Sequence, residues 1–230
     1  MTRKAVLLAT LLSFSAPILI AGDISRFMNL GFSDDSKYFM FGQYGIDASA
    51  DTPYAQYFII DVAKNSYVQG GTQSQTYTSK ALPGNDGSGG LFMLLEKTYS
   101  TIQKYKINHL TTGRIVYVLI DGEKPQSELE FRDFTAGNLY SVKLSQNSTG
   151  SGTTVASSFS INVTVSGAGG TKTTYTIGRP DYTRKGIKEY RIKYVIIAPD
   201  GKSLVFVLER TEVGAKGESV RYMVETQTIR

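Results

Sequence analysis

Two stretches near opposite ends of the chain are built to one plan, and the plan is a β-hairpin. Leu30–Phe41 reads LGFSDDSKYFMF and Val195–Phe206 reads VIIAPDGKSLVF. Each is an apolar strand end, a small residue, a turn, a lysine and a second apolar strand. Asp35 corresponds to Asp200, Lys37 to Lys202 and Phe41 to Phe206, at a constant offset of 165 residues. At the same offset Tyr57-Phe58-Ile59 matches Tyr222-Met223-Val224, which carries the correspondence into a further strand of each unit. A repeat that persists across two strands and a loop marks one supersecondary unit used twice. In Pro199-Asp200-Gly201 the proline presets φ, the aspartate bonds its own backbone and the glycine accepts positive φ; Asp34-Asp35-Ser36 is a weaker version of the same turn. Phe32 with Ile197, Phe39 with Leu204 and Phe41 with Phe206 are predicted to be equivalent core positions. The two hairpins are predicted to share one sheet, which would bring the ends of the mature chain together.

The unit resembles the Ser-Pro-Asp-Gly-Lys blade motif of TolB-type and other WD40-like β-propellers. A propeller needs about four blades or more, and no further copies occur between the two ends. The expected fold is therefore mainly β, with antiparallel sheets, one amphipathic helix and propeller-like hairpins at the N- and C-termini, and not a full propeller.

Between the copies, Gly70 to Gly90 is rich in Gly, Ser, Thr and Gln and reads as a long loop. Leu91 to Ile107 has helical periodicity, with Leu91, Leu94, Leu95, Tyr99, Ile102 and Tyr105 on one side and Glu96, Lys97, Ser100, Gln103 and Lys104 on the other. Short strands follow. Ile115 to Ile120 leads into an Asp121-Gly122 turn, Leu139 to Leu144 precedes a polar loop, and Phe159 to Val165 alternates strictly before returning through Thr173 to Ile177. This last hairpin has a weak apolar face and is expected to project from the body. Residues 23–230 are read as one β-rich domain, with 114–178 as a β subdomain or projecting hairpins within it.

The first 22 residues form a separate signal. Arg3 and Lys4 precede an apolar run from Ala5 to Ile20, and the chain turns polar at Asp23. That is the layout of a secretory signal peptide. The run is shorter than the roughly twenty residues that span a bilayer, and Ser13, Ser15 and Pro17 interrupt it. Cleavage is expected near Ala21 or Gly22, although Leu19 or Ile20 is bulky for the third position before the cut. No cysteine follows, so the leader is not of the lipoprotein type. Export excludes cytosolic and nucleic-acid roles and most nucleotide-dependent chemistry, and places the protein in the secreted or periplasmic space.

Asp23 to Val62, with Gly31-Phe32-Ser33, Phe41-Gly42-Gln43-Tyr44-Gly45 and Tyr57-Phe58-Ile59-Ile60-Asp61-Val62, resembles a family of bacterial predicted secreted proteins of unknown function. Arg184, Tyr190, Ile192 and the strands around Pro199-Asp200-Gly201 resemble it too. The resemblance implies export and no assigned chemistry.

Composition narrows the chemistry further. The chain has no cysteine and one histidine, His109, so disulfides and thiol catalysis are excluded and metal ligation is poorly supplied. No cofactor or metal site is expected. A triad would have to use His109, which follows the helix and reads more simply as a cap residue compatible with the helix dipole. The sequence has no nucleophile elbow and no His-Glu-x-x-His. Carboxylate pairs remain: Glu128 with Glu130 on one strand face, and Asp34 with Asp35 in a turn. Asn85-Asp86-Gly87-Ser88 resembles half of a calcium loop without its later ligands. Gly84 to Gly90 lacks the Lys-Ser/Thr of a phosphate loop. Without Arg3 and Lys4 the chain carries 23 basic and 20 acidic residues, a mild excess that names no partner.

Tyr182 to Tyr194 is the most charged segment. It reads either as a basic, aromatic ridge for an anionic surface or, more simply, as an edge strand kept soluble by lysines. The expected role is an exported envelope protein that binds or scaffolds without catalysis, its partner an envelope protein, a glycan or an anionic lipid surface. The alternatives are a carboxylate-dependent envelope hydrolase and a small outer-membrane β-barrel. Exposed tyrosines bind well because they offer area at low entropy cost. The binding candidates are Tyr182, Arg184, Lys185 and Tyr190, with Gln43 and Tyr44 as a second group.

Overall fold

The computed structural model describes residues 22–167, 169–215 and 217–229. The leader lies outside them. Thirteen strands are described: β1 (Arg26–Ser33), β2 (Tyr38–Asp47), β3 (Thr52–Asp61), β4 (Ser66–Thr76), β5 (Ile107–Asn108), β6 (Arg114–Val118), β7 (Glu128–Arg132), β8 (Leu139–Thr149), β9 (Ala156–Ser166), β10 (Lys172–Lys185), β11 (Ile187–Ile197), β12 (Ser203–Gly214) and β13 (Gly217–Thr228). Two short helices, α1 (Ser88–Lys97) and α2 (Tyr99–Lys104), follow β4. The strands form three antiparallel sheets: an N-terminal sheet in the order β4-β3-β2-β1-β5, a central sheet β13-β12-β11-β6 and an outer sheet β10-β9-β8-β7.

The side-chain alternation of the strands shows how these sheets stack. In the central sheet Val195, Ile197, Leu204, Phe206, Leu208 and Met223 pack toward the outer sheet, against Tyr140, Val142, Phe159 and Ile161. The intervening Ile196, Ala198, Val205, Val207, Tyr222 and Val224 pack toward the N-terminal sheet, against Phe32, Phe39, Phe41 and Ile60. The opposite face of the N-terminal sheet, with Leu30, Met40, Tyr57 and Ile59, is covered by Leu91 and Leu94 of α1 and Ile102 of α2. Helices and three sheets thus make four layers. A sheet buried on both faces needs continuous apolar runs rather than alternation, which is why Leu204 to Leu208 are all apolar and fully buried.

The first two strands of the repeat are equivalent in detail. Phe32 pairs with Phe39 in β1–β2 as Ile197 pairs with Leu204 in β11–β12. Asp35 accepts the Lys37 N–H at 3.1 Å, and Asp200 accepts that of Lys202 at 2.8 Å. Phe41 and Phe206 are both fully buried. The hairpins lie in different sheets, however, stacked face to face, and their turns touch where Ser36 Oγ accepts the Asp200 N–H at 3.1 Å. In the third strand the correspondence slips: Phe41 pairs with Phe58, but Phe206 pairs with Glu225 rather than Met223. The slip is two residues, so every side chain stays on its expected face.

Other expectations are corrected. Residues 70–76 are strand, not loop: β4 pairs with β3 from Ser66 to Thr76. The helix breaks at Thr98, whose hydroxyl bonds back to the Leu94 carbonyl at 2.7 Å, a local competition that disfavours continuous helix. β8 continues to Thr149, through the expected polar loop. The β9–β10 hairpin does not project, because Phe159, Ile161 and Val163 enter the core shared with the central sheet. Tyr182 to Tyr194 is not one edge strand: Tyr182 to Lys185 close β10, the edge of the outer sheet, whereas the rest of the segment is internal. Gly186, at φ 75°, separates β10 from β11, and β11 lies between β12 and β6. Bulges after Ile187 and Ile192 shift the inward face of β11 twice, and the second places Lys193, nearly buried, between Asp121 and Glu209.

The chain enters this body beside its last strand. Asp23 and Ser25 exchange backbone hydrogen bonds with Val220 of β13, and the Asp23 carboxylate takes both Arg221 Nη2 contacts, at 2.8 and 3.0 Å.

Candidate functional site

Where the three sheets meet there is a cleft of about 330 Å³, lined by Ile60, Tyr67, Arg179, Arg184, Arg210, Met223 and Glu225 among others. Its construction begins with an irregularity in β10. Arg179 pairs with Phe159 and Arg184 with Ser157, so four residues, Pro180 to Thr183, stand opposite Ser158 alone. Proline cannot donate to a ladder and is confined to edges and bulges. Just before it, Gly178 sits at φ 84°, where a Cβ would lie 2.9 Å from the Phe159 ring. The bulge swings Tyr182 outward and folds it over both neighbouring guanidiniums, 5.0 Å from Arg179 and 5.0 Å from Arg184.

Arg184 is held by aromatic faces. Its guanidinium also lies 5.1 Å from the Phe159 ring and 5.9 Å from that of Tyr190. Such contacts position a cation without consuming its hydrogen-bond donors. Its Nη2 is 4.0 Å from Glu225 Oε1, beyond hydrogen-bond reach, and its buried Nη1 has no acceptor. Arg210 gives Nη2 to Glu212 at 2.8 Å and likewise keeps an unpaired buried Nε. On the floor, Glu225 accepts a short hydrogen bond from Asn65 Nδ2. Asn65, left-handed at φ 49°, fixes this corner by accepting the Thr226 N–H at 2.8 Å. Burial pushes the Glu225 carboxyl above the usual glutamate range, against the opposing pull of Asn65 and Arg184.

The sequence-derived binding candidates divide. Tyr182, Arg184 and Lys185 lie at the bulged end of β10, with Lys185 and Tyr182 exposed and Arg184 in the cleft wall. Tyr190 is 1% exposed and belongs to the core. Gln43 is fully buried, and Tyr44 packs with the residues under the helices; neither presents a surface. Arg179, Arg210, Glu225 and Asn65 were not singled out, because strands distant in the chain bring them together.

His109 lies beyond β5 rather than at a helix end, and its Nδ1 contacts the Leu30 carbonyl at 2.6 Å, bracing the bulge in β1. Glu128 pairs with Lys143 at 2.8 Å on the exposed face of the outer sheet, and Glu130 is exposed beside it. Asp34 takes Asn108 Nδ2, and Asp35 closes its own turn. Asp86 accepts the Ser88 N–H at the start of α1. Among the described residues no group of three or more His, Cys, Asp or Glu side chains is placed to hold a metal, and no helix is long and apolar enough to cross a membrane.

A stack of open antiparallel sheets with a polar cleft at their junction defines the class. The chain belongs to the family described as Predicted secreted protein (DUF2259), whose model matches residues 40–228, a span that contains every cleft residue named above. No match is found among curated proteins.

Proposed function

We propose that this is an exported, non-catalytic binding protein of the cell envelope, secreted or periplasmic after leader cleavage near Ala21 or Gly22, which receives part of a ligand in the three-sheet cleft. The observation that carries the reading is Arg184: a guanidinium fixed by three aromatic rings, with a buried N–H that no protein group accepts. Buried unpaired donors cost about 1–3 kcal/mol, and where they persist beside a cleft they point to binding. The cleft volume falls in the range of small-ligand sites. Hydrolysis by paired carboxylates is the weaker reading, since among the described residues Glu225 is the one carboxylate that lines the cleft and the paired mechanism needs two.

Native mass spectrometry of the protein purified from its own envelope tests this. Wild-type protein should carry a small molecule that is lost when Ser66→Trp fills the cleft mouth. Equal ligand content in the two proteins overturns the cleft. Turnover of a glycan or peptide, abolished by changing one carboxylate, overturns the non-catalytic assignment. Intact mass of exported protein should place its first residue at Gly22 or Asp23.

A further inference from the structure

We infer that the ligand bears a carboxylate presented from a ring that can stack on an aromatic side chain, and that Glu225 is the protein's own competitor for the arginines that receive it. The inference rests on the cleft being a binding site.

The charge inventory comes first. β10 contributes Arg179 and Arg184, β12 contributes Arg210 with its partner Glu212, and β13 contributes Glu225. Glu212, outside the lining, offsets Arg210, and the lining itself holds three arginines and a single acid. Guanidinium is a planar fork of donors suited to bidentate capture of a carboxylate. Glu225 marks where such a group belongs but fills the position poorly. One of its oxygens is taken by Asn65, and the other stops 4.0 Å short of Arg184. Cation donors therefore outnumber the acceptors in reach, and an incoming carboxylate could close on them at hydrogen-bond distance.

Shape gives the rest. Tyr67 lines the cleft with half its surface exposed and its ring 5.5 Å from Phe58. Tyr182, also half exposed, lies against Arg184. Two rigid, amphipathic rings beside a fork of donors suit an acid group carried on a ring that packs against an aromatic face, either a sugar acid through its C–H face or an aromatic acid through its π face. A phosphate dianion fits less well, because Glu225 repels the second charge. Removing the Glu225 charge should strengthen binding rather than weaken it, the reverse of what an ordinary contact residue would do.

Backbone-amide NMR titration of the exported protein at fixed ionic strength, with sodium galacturonate, sodium benzoate, inorganic phosphate and galactose, tests the inference. Galacturonate or benzoate should move the amides of Arg184, Arg210 and Glu225, and galactose should not. Arg210→Gln, which keeps a polar side chain at a half-buried position, should weaken carboxylate binding about tenfold or more, the equivalent of one charged hydrogen bond. Arg184→Lys, which keeps the charge and loses the fork, should weaken it too. Glu225→Gln should tighten it severalfold. Tighter binding of phosphate than of either acid, or equal shifts with galactose, overturns the carboxylate assignment. Unchanged or weaker binding in a folded Glu225→Gln protein overturns the competitor role and leaves the cleft standing as a site. If no probe moves these amides, the cleft reading itself falls.

Discussion

Gln43 of β2 accepts the backbone N–H of Tyr222 in β13 at 2.7 Å, joining the N-terminal sheet to the central one through a fully buried amide. Its Nε2 donates to Gln56 Oε1 at 2.7 Å, so both ends of the side chain are used. Gln43→Ala would leave a buried N–H unpaired and should cost about 1–3 kcal/mol in urea unfolding. Carboxylate titration of the cleft should be unaffected, which separates this residue from a ligand contact.

Phe41→Ala and Phe206→Ala should each destabilise by about 3–5 kcal/mol, because both rings are fully buried at corresponding positions of the repeat. Chemical denaturation of the two variants checks this. A loss near 1 kcal/mol at either site would mean that the core closes over the gap.

Asp133 and Arg114 tie the outer sheet to the central sheet through two hydrogen bonds, at 2.7 and 3.0 Å. The Arg114 hydrogen bond holds the Asp133 carboxyl below the usual aspartate range, although burial opposes it. Its contribution is complete above the unfolded value and disappears as pH falls through the lowered folded value. Asp133→Asn should cost about 1–3 kcal/mol at neutral pH and flatten the acid limb of a plot of melting temperature against pH.

Glu225 has the opposite sign. Burial raises its folded value above the unfolded one, so its contribution is complete below the unfolded value and is lost as pH rises through the raised one. Glu225→Gln should therefore melt higher than wild type on the alkaline side of that transition, with the difference shrinking in acid. A constant difference across pH would show that the carboxyl does not titrate in this range.

The parts of this architecture visible in the sequence are those written in neighbouring residues. Asp35 and Asp200 announce their turns because an aspartate bonding the backbone two residues on is a local event. The third-strand match between Phe58 and Met223 misleads because an even slip preserves the in-and-out pattern that made it convincing. The central position of β11 is hidden by its charges. Lys193 looks solvent-facing until the bulge after Ile192 and the acids Asp121 and Glu209 are in place. The cleft shows the same limit. Arg184 stands out in a basic segment, whereas Arg210 and Glu225 belong to strands that read as ordinary apolar-polar ribbon. The one local clue to the bulge was Pro180 inside a strand pattern, two residues after Gly178.

The doubly buried central sheet also sets a schedule. Three of its four strands, β11 to β13, come from residues 187–228, yet both flanking sheets need its faces to complete their cores. A chain delivered amino end first can assemble the helical side of its first sheet early, but its other face waits for the carboxyl end to arrive. Such long-range closure is slow and late. The native state thus becomes accessible only once residues 187–228 are available to pair, and until then the apolar faces of both flanking sheets stay open.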